Sequence, residues 1–143
     1  MLVVFAGRPG TGKTTLSRLL GAELRAAVLR IDVIEATVVR SGLAAQPVGS
    51  IGYDIARHLA ADCLAAGTSV VVDAVNPVAE ARQGWRTLAV AAAVPLHVVE
   101  VALADAGEHR RRVDGPRLLV DGGAAGQAMA AIRDHIGISP RHR

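Results

Sequence analysis

Eight residues near the start of the chain, Gly7-Arg8-Pro9-Gly10-Thr11-Gly12-Lys13-Thr14, have the spacing G-x-x-x-x-G-K-[ST], which suits a loop that cradles phosphate. Gly7, Gly10 and Gly12 free the backbone to approach an anion, and the backbone from about Pro9 to Thr15, with N–H groups from Gly10 onward, is expected to face inward. Lys13 is the only lysine in a chain with 15 arginines. A compact ammonium meets the β- and γ-phosphates of a nucleotide as a point charge, which a planar guanidinium does not reproduce. The hydroxyl of Thr14 suits Mg²⁺, an ion that takes a few protein oxygens together with phosphate and water oxygens. A second piece of chemistry lies 59 residues on, where Asp73 closes the run Val70-Val71-Val72 in a Walker-B arrangement, a carboxylate at the end of a buried strand near the metal. The plainer readings are a tight turn without a ligand and an Asp that caps a helix.

The elements around these residues fit the chemical reading. Leu2 to Ala6 is a short apolar run that leads into the glycine loop, and Leu16, Leu19, Leu20 and Leu24 then recur at helical spacing. Strand, loop and helix in that order bring the loop amides and the helix N-terminus together on an anion. Further along, strands are expected at 27–31, 68–72, 96–101 and 117–120, with helices at 33–40, 53–66, after Asn76-Pro77 to about 92, from 105, and through Met129, Ile132 and Ile136. Five apolar strands alternating with helices imply an α/β fold in three layers, a five-stranded parallel sheet flanked by helices. At 143 residues the chain has room for a single domain, 1–143.

Composition narrows the function classes. Phe5, Tyr53 and Trp85 are the only aromatics, too few for a base-stacking platform, and a net charge of +3 fits an anionic small substrate as well as it fits nucleic acid. Nucleic acid is therefore an unexpected partner, and the oligomeric state is open. No apolar run reaches membrane-spanning length, so the expected compartment is the cytoplasm with no membrane contact. Cys63, in helical register with Ile55 and Leu59, is expected to be a buried, reduced thiol.

Taken together, GRPGTGKTTLSRLL, LRIDVIEATV, GTSVVVDAVNP with Arg82 after it, and EHRRRV resemble the P-loop kinases of the nucleoside-monophosphate-kinase-like group. Within that group the chain is similar to small AAA family ATPases and kinases of the zeta-toxin, chloramphenicol-phosphotransferase and polynucleotide 5′-kinase types. The resemblance implies an ATP-dependent, Mg²⁺-dependent transfer of the γ-phosphate to a hydroxyl of a small molecule. It implies that Asp32 accepts or orients the acceptor proton, and that Asn76 and Arg82 lie near the acceptor. It also implies that Arg110 or Arg111 stabilises the transferring phosphoryl group, since successive helical residues cannot all face one phosphate. Arg8, Pro9, Thr11, Thr15 and Arg117 are counted with the nucleotide-binding residues.

Two departures from the resembling kinases stand out. Many carry Arg three residues after the acceptor Asp, where this chain has Glu35, which weighs against a 5′-hydroxyl polynucleotide or nucleoside acceptor. Their mobile lid of a few tens of residues has no counterpart between Val113 and Asp114; either those residues are missing from this sequence or the chain is lidless. A nucleotide-binding module or weak ATPase without kinase activity is the second alternative. Tyr53, His58, Trp85 and His97 are expected to serve packing.

Overall fold

The computed structural model of the chain describes residues 1–75, 78–103 and 117–139. Five strands alternate with helices: β1 (Leu2–Ala6), α1 (Lys13–Leu24), β2 (Ala27–Arg30), α2 (Ile31–Arg40), α3 (Ile51–Ala65), β3 (Val70–Asp73), α4 (Ala79–Ala91), β4 (Leu96–Ala102), β5 (Leu118–Asp121) and α5 (Ala125–His135). The strands form one sheet in the order β2-β3-β1-β4-β5, every neighbouring pair parallel. Parallel neighbours require long crossovers, and the helices supply them.

Both faces of the sheet are covered, which explains strands that are apolar throughout rather than alternating. Val3, Phe5, Val71 and Val99 pack on one side against Leu16 and Leu20 of α1 and Met129 and Ile132 of α5. Leu2, Val4, Val70 and Val72 pack on the other against Ala56 and Ala60 of α3 and Trp85 and Ala89 of α4. Each Val, Leu, Ile, Phe or Met among them contributes about 1.5–3 kcal/mol when fully buried, and each Ala less. Among the described residues no helix is long and apolar enough to cross a membrane.

The expected three-layer fold is therefore present, with shifts at element ends. The second helix starts at Ile31 rather than Val33, because the chain turns helical straight out of β2; Asp32 thus stands in the first turn of α2 instead of ending a strand. Cys63 is only half-buried, and Ile55 and Leu59 are 36% and 46% exposed. The helix instead buries Gly52, Ala56, Ala60 and Leu64. Small residues on that stripe let α3 sit close to the sheet, so the bulkier residues of the neighbouring stripe face outward. The expected helix from Asp105, with Arg110, Arg111 and Arg112, the junction between Val113 and Asp114, and the Asn76-Pro77 turn lie outside the described residues.

Candidate active site

The carboxyl ends of β1 and β3 lie side by side, with Phe5 level with Asp73, and this edge is where a doubly wound sheet receives its ligand. From β1 the chain enters the glycine loop and emerges as α1 at Lys13. Gly10 and Gly12 sit at φ +79° and +86°, left-handed values that a side chain disfavours. Thr11 is buried and its hydroxyl donates to the carbonyl of Arg8 at 2.9 Å, closing the loop on itself. No side chain caps α1 and no acidic residue stands in its first turn, so the helix N-terminus is open to an anion.

The other wall of the loop is backbone. A Cβ on Gly122, just past β5, would fall on the carbonyl oxygen of Thr11, and one on Gly12 would come within 2.8 Å of the carbonyl oxygen of Gly122. The loop and the turn after β5 are thus in backbone-to-backbone contact, and the Gly122 amide donates to the Ala102 carbonyl at 2.9 Å. Nothing in the first half of the sequence points to Gly122; its signal is a Gly-Gly pair directly after a strand.

Asp73 organises the centre. One carboxylate oxygen accepts from the Lys13 ammonium at 2.6 Å and the other from the Thr14 hydroxyl at 2.6 Å. Lys13 is 9% exposed and Asp73 3%, so this is a buried ion pair that α1 and β3 hold between them. Arg30, the last residue of β2, reaches the same place: its Nε lies 3.7 Å from Asp73 Oδ2 without a hydrogen bond, while its Nη2 donates to Asp32 at 3.0 Å. The guanidinium spans the two carboxylates. Asp32 also accepts from the Val33 amide at 2.9 Å, and its side chain stays 69% exposed. Arg30 was not among the residues expected from sequence, although an Arg two places before an Asp at a strand-to-helix junction is a signal in hindsight.

A cavity of about 620 Å³ joins these groups, running from Arg8, Pro9, Gly10, Gly12, Lys13, Thr14 and Thr15 past Asp73 to Asp32 and Glu35. Ile31, Tyr53, Ala74, Val75 and the loop Gln46-Pro47-Val48-Gly49 complete its lining. Burial and the negative charge of Asp32 push the Glu35 carboxyl above its ordinary range. Tyr53, expected to serve packing, does both jobs: it lines the cavity and packs its ring on Trp85 at 6.4 Å between centroids. The 46–49 loop carried no sequence signal, because its placement comes from tertiary packing.

Other expected residues stand elsewhere. Arg117, at the opposite end of β5 from Asp121, pairs with Glu100 of β4 at 2.5 Å and does not line the cavity, since its place near the start of a parallel strand points it away from the glycine-loop edge. Arg82 lies in the first turn of α4, also outside the lining, and Asn76 is not among the described residues. His58 sits on α3 with Nδ1 2.8 Å from the Asp54 carbonyl, and His97 packs edge-on against His135.

A family model described as an AAA domain matches residues 2–115. No curated protein matches the chain in sequence. Solved structures match in fold. APS kinase CysC of Mycobacterium tuberculosis, in complex with AMPPNP and APS, aligns with a TM-score of 0.69 and 23% identity over 95% of this chain and 96% of that one. A sugar kinase from Janibacter sp. aligns with a TM-score of 0.71 and 13% identity over 97% and 95%. A gluconokinase from Sinorhizobium meliloti aligns with a TM-score of 0.65 and 14% identity over 94% and 93%.

Proposed function

The chain belongs to the AAA domain family, and from that premise we propose that it is a phosphotransferase that moves the γ-phosphate of ATP to a hydroxyl of a small molecule. One observation carries the reading: the glycine loop, the Lys13–Thr14–Asp73 cluster and Asp32 open into one cavity, so nucleotide phosphates and a second molecule can meet within it. The APS kinase, gluconokinase and sugar kinase of the same fold act on small molecules by name, and this supports the same class of acceptor here.

In this reading the loop amides and the open N-terminus of α1 bind the phosphates, and Lys13 turns from Asp73 toward the β- and γ-phosphates. Thr14 and Asp73 offer hard, adjacent oxygens on one hydrogen bond, a donor set that fits Mg²⁺. That ion, when bound, neutralises charge on the nucleotide phosphates. Asp32 takes the proton of the acceptor hydroxyl as that oxygen forms its bond to the γ-phosphorus and the bond to the β–γ bridging oxygen breaks, leaving ADP. Arg30 and the Val33 amide position Asp32 by holding one carboxylate oxygen each, and the remaining lone pairs of this exposed carboxylate face the acceptor. Arg110 or Arg111 is the proposed cation on the transferring group.

Asp32→Asn tests the assignment. Phosphoryl transfer is expected to fall by about 10²–10⁴-fold, the usual contribution of a general base, while ATP affinity holds. An unchanged turnover, or an ATPase rate indifferent both to added acceptors and to this substitution, would reduce the protein to a nucleotide-binding module.

A further inference from the structure

Glu35, one turn after Asp32 on α2, lines the cavity and has no ion-pair partner among the described residues. Asp73 faces Lys13 and Arg30, and Asp32 faces Arg30. The Glu35 carboxylate, half-buried in the same lining, accepts no hydrogen bond and forms no ion pair among the described residues. Among the described residues, Lys13 and Arg30 are thus taken up by Asp73 and Asp32, and Arg8, which lines the cavity from the glycine loop, forms no ion pair with Glu35. Burial and Asp32 push its carboxyl upward, the sign of a charged group that lacks compensation.

The fold also makes room for this side chain. Gly52, in the first turn of α3, would carry a Cβ within 2.5 Å of Glu35 Cγ and 3.0 Å of its Oε1. The glutamate stem lies in the space that the missing side chain leaves, and this sets the carboxylate between α2 and α3 at the cavity wall. The same lining holds Ile31, Pro47, Val48 and Tyr53, with the Gln46 amide and the Tyr53 hydroxyl as its uncharged polar groups. A lone carboxylate on such a wall attracts a cation strongly, because little else there competes for it.

Resting on the phosphotransferase reading, we infer that the acceptor is an amine-bearing alcohol, such as an amino sugar, whose ammonium is held by Glu35 while its hydroxyl meets Asp32. A carboxylated or phosphorylated acceptor is disfavoured at the same wall by like charge. The substrate class is thus opposite in sign to the gluconate and APS of the fold relatives' names.

Binding and transfer are measured separately. Glucosamine, glucose and gluconate, matched in size, are titrated calorimetrically into protein saturated with a non-hydrolysable ATP analogue, for the native chain, Glu35→Gln and Glu35→Lys. Glucosamine is expected to bind at least tenfold more tightly than glucose, with gluconate weakest. Glu35→Gln should level glucosamine and glucose, and Glu35→Lys should invert the order in favour of gluconate. Equal or tighter binding of glucose or gluconate by the native chain overturns the inference, as does a glucosamine preference that survives Glu35→Gln, or no glucosamine binding at all. The same compounds are then assayed for phosphoryl transfer. An amine preference in binding with no transfer to any hydroxyl would leave the charge preference standing and remove the phosphotransferase reading instead.

Discussion

Asp73→Asn, which keeps the shape of the side chain and removes its charge, isolates what the buried ion pair contributes. The native carboxylate takes the Lys13 ammonium and the Thr14 hydroxyl at 2.6 Å each, and Lys13 is 9% exposed. The amide can still accept from Lys13 through its oxygen, and its NH₂ then faces the Thr14 hydroxyl, which must rotate to accept. What remains is a nearly buried ammonium without a counter-charge. Breaking a buried pair in this way costs about 3–5 kcal/mol, and one retained hydrogen bond with residual solvent at the cavity edge brings the expected loss to about 2–3 kcal/mol. For a domain of this size that is a fall in Tm of roughly 6–10 °C. Thermal and denaturant unfolding of Asp73→Asn, Lys13→Met and the double variant close a double-mutant cycle. A coupling of about 1.5 kcal/mol or more is expected, since the double variant leaves no unpaired charge. Because phosphate offers the freed ammonium a new partner, metal-free ATP should bind Asp73→Asn more tightly than the native chain. Additivity of the two substitutions within about 0.5 kcal/mol, the usual result for independent sites, would refute the reasoning.

Gly122→Ala drives a methyl group into the Thr11 carbonyl, so the glycine loop must move; stability should fall by about 1–3 kcal/mol, and fluorescent ATP-analogue binding should weaken with it. The Glu23–Arg133 pair joins α1 to α5, with Arg133 Nε donating to Glu23 at 2.9 Å. The hydrogen bond from Arg133 holds the Glu23 carboxyl below its ordinary range against a smaller opposing effect of burial. A lowered carboxylate contributes stability that is full above its unfolded pKa and is lost as pH falls through the folded value. Arg133→Gln should therefore cost up to about 1 kcal/mol at neutral pH, as a largely solvated pair does, and nothing once Glu23 is protonated. Denaturant midpoints of both proteins across the acid range check this.

The phosphate-binding half of the site is legible in sequence because it is local. Eight consecutive positions set the glycine conformations, the helix start and the Lys13–Thr14 pair, and strand periodicity places Asp73 at an edge. Asp32 is legible as a residue at a strand end, but not its place in the first turn of α2 or its tie to Arg30, which depend on where β2 stops. Arg117 shows the opposite failure: its type suits a phosphate, while its position near the start of β5 commits it to Glu100. On α3 the periodicity supports two adjacent stripes, and only close packing on the sheet selects the one with Gly52, Ala56 and Ala60.

The sequence by itself determined the fold class and the phosphate chemistry, because both follow from short-range rules: hydrophobic runs of strand length, helical spacing, and backbone freedom at fixed glycine positions. Tertiary structure alone decided what surrounds Asp32 in the proposed acceptor half. Glu35, Tyr53, Gly52 and the 46–49 loop come from separate stretches of chain, and no local rule says that they share a wall. Their meeting depends on how α2 and α3 pack over the sheet, a long-range outcome of burial that no window of residues encodes.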